Sequence, residues 1–201
     1  PVYTVSESFA AAFTRTERGL QQTENWPVES TDSVTRATLE QGSNTLTVDV
    51  SEDADGNKTY TASDTARTET PDTAAAQAFI SSAATLYFSS SADFKPTDEA
   101  LAAYGLAEPS ATLTVEWTRT DDASGAQESV TSVLYLGAVD ANGDYYARLA
   151  DSNAVSTLNA TALSGVLGMT LDGMLPAEEE SAPESAPASE SGSVSAASAA
   201  D

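Results

Sequence analysis

The chain is 201 residues long, enough for one ordinary domain or two small ones, and its 8 basic against 31 acidic side chains leave a net charge of −23. It contains no His and no Cys. This removes Ser-His-Asp and Cys-His nucleophile activation, imidazole proton shuttling, disulfides, iron–sulfur clusters and His- or Cys-ligated zinc from its chemistry.

The eight basic residues, from Arg15 to Arg148, are scattered and form no stripe, so phosphate backbones and anionic lipid surfaces are repelled and nucleic acid is not an expected partner. No apolar run approaches the roughly 18 residues of a membrane span, and no signal-peptide pattern stands at the N-terminus. Membrane contact is expected only through an anchor upstream of Pro1. The lack of Cys fits either a reducing compartment or a bacterial envelope protein that does without disulfides.

In the first 33 residues, Phe9, Phe13 and Leu20 follow Ser6 at near-helical spacing, with Glu7 early and Gly19 interrupting. A short amphipathic helix is expected there, with an extended segment as the competing reading. Leu46, Val48 and Val50 then alternate with Thr45, Thr47 and Asp49, the pattern of a half-buried strand. Asp55-Gly56 supplies a tight turn before an extended run at 59–61. Thr70-Pro71-Asp72 predicts a helix start, and Ala76, Phe79, Ile80, Ala83, Leu86 and Tyr87 fall on one helical face. A second helix is expected from Asp98 to Tyr104, ended by Gly105 in a left-handed conformation.

Leu113, Val115 and Trp117 alternate with Thr112, Thr114, Glu116 and Thr118, predicting a strand to about Thr120, with a hairpin partner from Val130 to Leu136. Asn142-Gly143 is a two-residue turn signal leading into Tyr145 to Leu149. A further strand around Val155 precedes Asn159, a helix cap for a segment carrying Leu163, Val166 and Leu167. From Pro176 the composition shifts to Ala, Ser, Pro and Glu, which predicts a disordered acidic tail over 176–201.

Thr45 to Val50 (TLTVDV) is similar to Thr112 to Trp117 (TLTVEW), and each is followed by an Asp- and Gly-containing turn. This suggests two quasi-repeats, at about 34–90 and 106–170, inside an α+β domain over 34–175. The expected fold is mainly antiparallel strands in two similar meander-plus-helix units.

The ordered series Tyr104-Gly105-Leu106-Ala107-Glu108-Pro109, Leu136-Gly137, Gly143-Asp144-Tyr145-Tyr146-Ala147-Arg148-Leu149 and Ala154-Val155 resembles the bacterial Domain of Unknown Function 4340 family. The resemblance runs from about Val34 to Gly168. It implies an extracytoplasmic domain of the bacterial cell envelope, usually behind an N-terminal membrane anchor, with some relatives associated with ABC-type transport systems. It supplies no activity and no catalytic residues.

Ser51 to Gly56 places oxygen ligands as a calcium loop would, but the closing position falls on Ala62, so a hairpin turn is the expected reading. Asp140 to Asp144 reads the same way, and no metal or other cofactor is expected. Lys58 and Lys95 have no Ser three residues before them, and Gly-rich phosphate loops are absent. The sequons at Asn57 and Asn159 read as coincidence in a bacterial protein.

Trp117 continues the Leu113 and Val115 face and is expected in the core. Tyr145, Tyr146 and Arg148 are the candidate binding residues, because aromatic and Arg side chains anchor interfaces. The function expected is a non-catalytic interaction module that binds an envelope protein or a cell-wall polymer. The alternative is a carboxylate-dependent hydrolase acting on a glycan, which requires two carboxyls across a cleft.

Overall fold

The computed structural model describes residues 24–176. The predicted helix with Phe9, Phe13 and Leu20, and the tail after Pro176, lie outside the described residues.

Nine strands form one sheet: β1 (Val34–Gln41), β2 (Asn44–Glu52), β3 (Lys58–Ser63), β4 (Thr68–Glu69), β5 (Ser90–Asp93), β6 (Ala111–Thr120), β7 (Gln127–Val139), β8 (Tyr145–Leu149) and β9 (Val155–Leu158). Their spatial order is β4-β3-β2-β1-β6-β7-β8-β9-β5, and every pairing is antiparallel. Among the described residues the α-helices are α1 (Thr73–Ala84), α2 (Asp98–Ala103), α3 (Ala160–Leu163) and α4 (Leu171–Met174), with a 3-10 turn at Thr31–Ser33, so the architecture is α+β as expected.

The two similar segments are β2 and β6, and they flank β1 in a common register. Leu46 and Leu113 both oppose Leu39, Thr47 and Thr114 oppose Thr38, and Val48 and Val115 oppose Ala37. Asp49 and Glu116 likewise face Arg36, which makes ion pairs with both, at 2.6 and 3.5 Å. Their likeness is that of two strands meeting one neighbour row by row, with apolar rows on the core side and Thr or charged rows on the other. The single continuous sheet does not show two repeated meander-plus-helix units.

One face of the sheet carries the core. Leu39, Leu46, Leu113, Leu134 and Leu136 are fully buried there, under Phe79 and Ala83 of α1. Helix α1 begins two residues later than Pro71 suggests, because Asp72 is the cap and its carboxylate accepts from the Ala75 N–H at 2.9 Å. It ends at Ala84, so Leu86 is buried from the following loop while Tyr87 is exposed. The α3–α4 segment closes onto α1: a Cβ at Gly165 would lie 2.2 Å from Ser82 Oγ, and the Asp72 N–H donates to the Met174 carbonyl at 2.7 Å.

Residues 24–30 have no regular secondary structure but are anchored by Trp26 and Val28, both buried in the core cluster. This strap also ties to the β8–β9 turn, where the Ser152 hydroxyl donates to the Glu24 carboxylate. The packed unit thus includes ten residues that precede Val34.

Candidate functional site

Successive strand residues point to opposite faces, and this divides the three candidate residues. Ala147 is fully buried opposite Leu136, which puts Tyr145 and Leu149 on the core face, and Tyr145 packs against the core. Tyr146 and Arg148 point to the other face and are half-buried there. The structure brings Tyr146 and Arg148 together and separates Tyr145 from them.

On that outer face Arg148 opposes Tyr135 across the β7–β8 ladder, with its guanidinium carbon 5.4 Å from the ring centroid, a cation–π distance. Tyr146 meets Tyr104 with ring centroids 4.5 Å apart and planes tilted by 46°. The rings of Tyr135, Tyr104 and Tyr146 are therefore engaged within the protein. What remains is a cationic head among aromatic edges. Arg36, Lys58, Arg67 and Arg119 are each ion-paired to a carboxylate. Arg148 makes no ion pair among the described residues, and its buried Nε has no hydrogen-bond acceptor.

Tyr104 arrives at this face through a close crossing. Helix α2 is capped by Thr97, whose hydroxyl accepts from the Ala100 N–H, and ends as Gly105 turns left-handed at φ +69°. The next residues lie on β7 where it carries Gly137. The Ala138 N–H donates to the Tyr104 carbonyl at 2.8 Å, and the Ser110 hydroxyl donates to the Leu136 and Gly137 carbonyls. Leu106 is buried at the crossing. Sequence reading finds Tyr104-Gly105 as a helix stop and Leu136-Gly137 through family resemblance; no periodicity announces that they touch.

The Asp-rich turns are self-satisfied. Asp53 Oδ1 accepts from the Asp55 and Asn57 N–H groups, and Asp140 Oδ1 accepts from those of Asn142 and Asp144. The Asn57 and Asp144 backbone donors, respectively, lead the contacts that hold these carboxyls below the usual carboxylate range. Among the described residues no group of three or more Asp or Glu is arranged to hold a metal ion.

A groove of about 410 Å³ opens between the strap and the β8–β9 turn, with Trp117 and Val130 on its apolar side and the carboxylates Glu29 and Asp151 among its lining. Both carboxylates are exposed, whereas a glycosidase withdraws its acid from water in a cleft. Sequence reading missed this groove, because the strap that walls it has no periodic signal.

These features define an α+β domain built on one open antiparallel sheet, with α1 and the α3–α4 segment on the core face and an aromatic and Arg cluster, reached by the end of α2, on the other. Residues 70–167, just under half of the chain, match the family model described as Domain of unknown function (DUF4340). The matched region holds α1 and α2, strands β5 to β9 and α3. No curated protein and no solved structure matches the chain.

Proposed function

We propose that this is an extracytoplasmic domain of the bacterial envelope that works as a non-catalytic interaction module, binding an envelope protein or a cell-wall polymer through the Tyr146 and Arg148 face. The observation that carries the reading is Arg148: in a chain of net charge −23 it has no carboxylate partner among the described residues, and it sits on Tyr135 beside the Tyr104–Tyr146 pair. Desolvated Arg and Tyr side chains are the usual energetic centres of an interface. The envelope placement, with an anchor upstream of Pro1, rests on the family resemblance.

The test is binding of the purified domain to cell-wall sacculi and to cross-linked envelope extracts. Arg148→Gln and Tyr146→Leu together should weaken capture by at least about tenfold, as loss of an interface centre does, with the thermal midpoint recorded to show that the fold is retained. Capture that is unchanged in a folded double variant would refute the assignment of this face. Turnover of a glycan, lost on removing one specific Asp or Glu, would replace the module with the hydrolase.

A further inference from the structure

The β6–β7 hairpin outruns β8. Strand β7 begins at Gln127, yet β8 pairs with it only from Leu134 to Val139, and the Ala150 N–H donating to the Val133 carbonyl at 3.0 Å is the last bond of that ladder. Because Val133 directs its carbonyl toward the β8 side, strand alternation directs the backbone N–H and C=O of Thr131 and Ser129 to the same side. No strand lies there among the described residues. Both residues are exposed, and residues 24–29 of the strap make no backbone hydrogen bond to them. A row of unpaired backbone donors and acceptors is a template for another extended chain.

The open edge borders the groove between the strap and the β8–β9 turn, and Val130, Thr131 and Val133 line both. Trp117 and Leu149 give the groove an apolar side. Its charges are Glu29, Asp151 and Arg119, and Arg119 is already held by Glu128 at 3.1 Å. The charge left for a ligand is therefore negative. Beyond Asp151 the surface continues along Glu24, Ser152 and Asn153.

We propose that the β7 edge from Ser129 to Val133 is a strand-addition site for an extended segment of a partner protein that carries basic side chains between apolar ones. The edge supplies main-chain hydrogen bonds, while alternate side chains of the added strand reach the apolar side and the carboxylates. The net negative charge of the domain steers a cationic segment toward it. A second copy of this chain, with the same strong negative charge, is disfavoured by the same field. The site shares no residue with the Tyr146 and Arg148 face, so it stands or falls separately from the function proposed above.

The probe is the blocked pentapeptide acetyl-Lys-Val-Lys-Val-Lys-amide, with acetyl-Glu-Val-Glu-Val-Glu-amide as its counterpart. The full chain is titrated and read by tryptophan fluorescence and by amide hydrogen exchange. The chain's two tryptophans, Trp26 in the strap and Trp117 beside the groove, both report on this region. The Lys peptide should change the fluorescence saturably and slow exchange at Ser129 and Thr131; the Glu peptide should do neither.

Glu29→Lys with Asp151→Lys should weaken binding about tenfold. The matched pair Glu40→Lys with Glu108→Lys, which changes net charge equally at exposed positions outside the groove, should change it less than about twofold. Thr131→Pro should abolish exchange protection, because it removes an outward N–H while leaving the β6–β7 ladder its bonds. Should that variant fail to fold, the charge pairs still decide. Equal losses in both charge pairs, no protection at Ser129 and Thr131, equal binding of the Glu peptide, or self-association through this edge would each overturn the proposal.

Discussion

Gly137→Ala is the substitution whose sign separates two accounts of the outer face. Gly137 does not have a positive φ, so by strand propensity alone Ala should be tolerated and even favoured, since Gly weakens a strand by roughly 0.5–1 kcal/mol. The crossing reverses that sign. A Cβ at Gly137 would stand 2.1 Å from the Tyr104 carbonyl oxygen and 3.1 Å from both Gly105 C and Leu106 Cγ. The nearest atom is backbone and cannot swing aside, so residues 104–106 must lift from β7. Lifting forfeits the Ala138–Tyr104 hydrogen bond, about 0.5–1.5 kcal/mol, and part of the burial of Leu106, whose full value is about 1.5–3 kcal/mol. With about half of that burial lost, the expected cost is about 1–3 kcal/mol before the strand gain of roughly 0.5–1 kcal/mol is set against it. Urea denaturation followed by far-ultraviolet circular dichroism measures it, and near-ultraviolet dichroism reports whether Tyr104 has left Tyr146. A Gly137→Ala protein as stable as the parent, with the tyrosine signal intact, would refute the close crossing and with it the positioning of Tyr104.

Two further predictions concern the core and the turns. Trp117 is 2% exposed and its Nε1–H donates to the Ser132 hydroxyl at 2.9 Å, so Trp117→Ala should cost about 3–5 kcal/mol by cavity formation, and Trp117→Phe about 1–3 kcal/mol by orphaning Ser132; a urea-derived loss below about 1 kcal/mol for the Ala variant would place the ring on the surface. Asp140 is held below the usual carboxylate range first by the Asp144 N–H and also by Asn142. A depressed folded pKa contributes stability above the unfolded value, about pH 3.9, that is lost as pH falls through the folded value. Acid should therefore destabilise the parent more than Asp140→Ala below about pH 4, and a carboxyl titration of Asp140 at the free-aspartate midpoint would contradict the turn geometry.

Much of the sheet was legible because its rows are chemically sorted. Leu46 and Val48, like Leu113, Val115 and Trp117, alternate cleanly with Thr and acidic residues, and the structure puts each set on the core face. Helix α2 was readable from Asp98 through Gly105, since a left-handed stop is local chemistry; its Thr97 cap went unread.

Strand β1 was hidden by its own irregularity: a bulge between Val34 and Arg36 moves the inward residues from a spacing of two to Val34, Ala37 and Leu39. Strand β5 has no large apolar residue and owes its identity to its pairing with β9. The site was harder still. Alternation could separate Tyr146 from Tyr145, but the meeting of Tyr104 with Tyr146 depends on a loop crossing a strand 32 positions away along the sequence, and no local pattern encodes such a contact.

The place of β1 in the sheet has a consequence for how the chain acquires its structure. Its partner on one side, β2, follows after a two-residue turn, whereas its partner on the other, β6, pairs Val34 with Trp117 and Arg36 with Glu116. During synthesis the first four strands can zip together as soon as they emerge, but β1 then waits with one ladder bare until about fifty more residues, through Thr120, have been made. Closing that seam joins the two halves of the sheet across a long loop, the kind of non-local step that sets the pace of folding. Arg36, placed between Asp49 and Glu116, is an electrostatic latch across the seam, and a charge reversal there should slow refolding more than it accelerates unfolding.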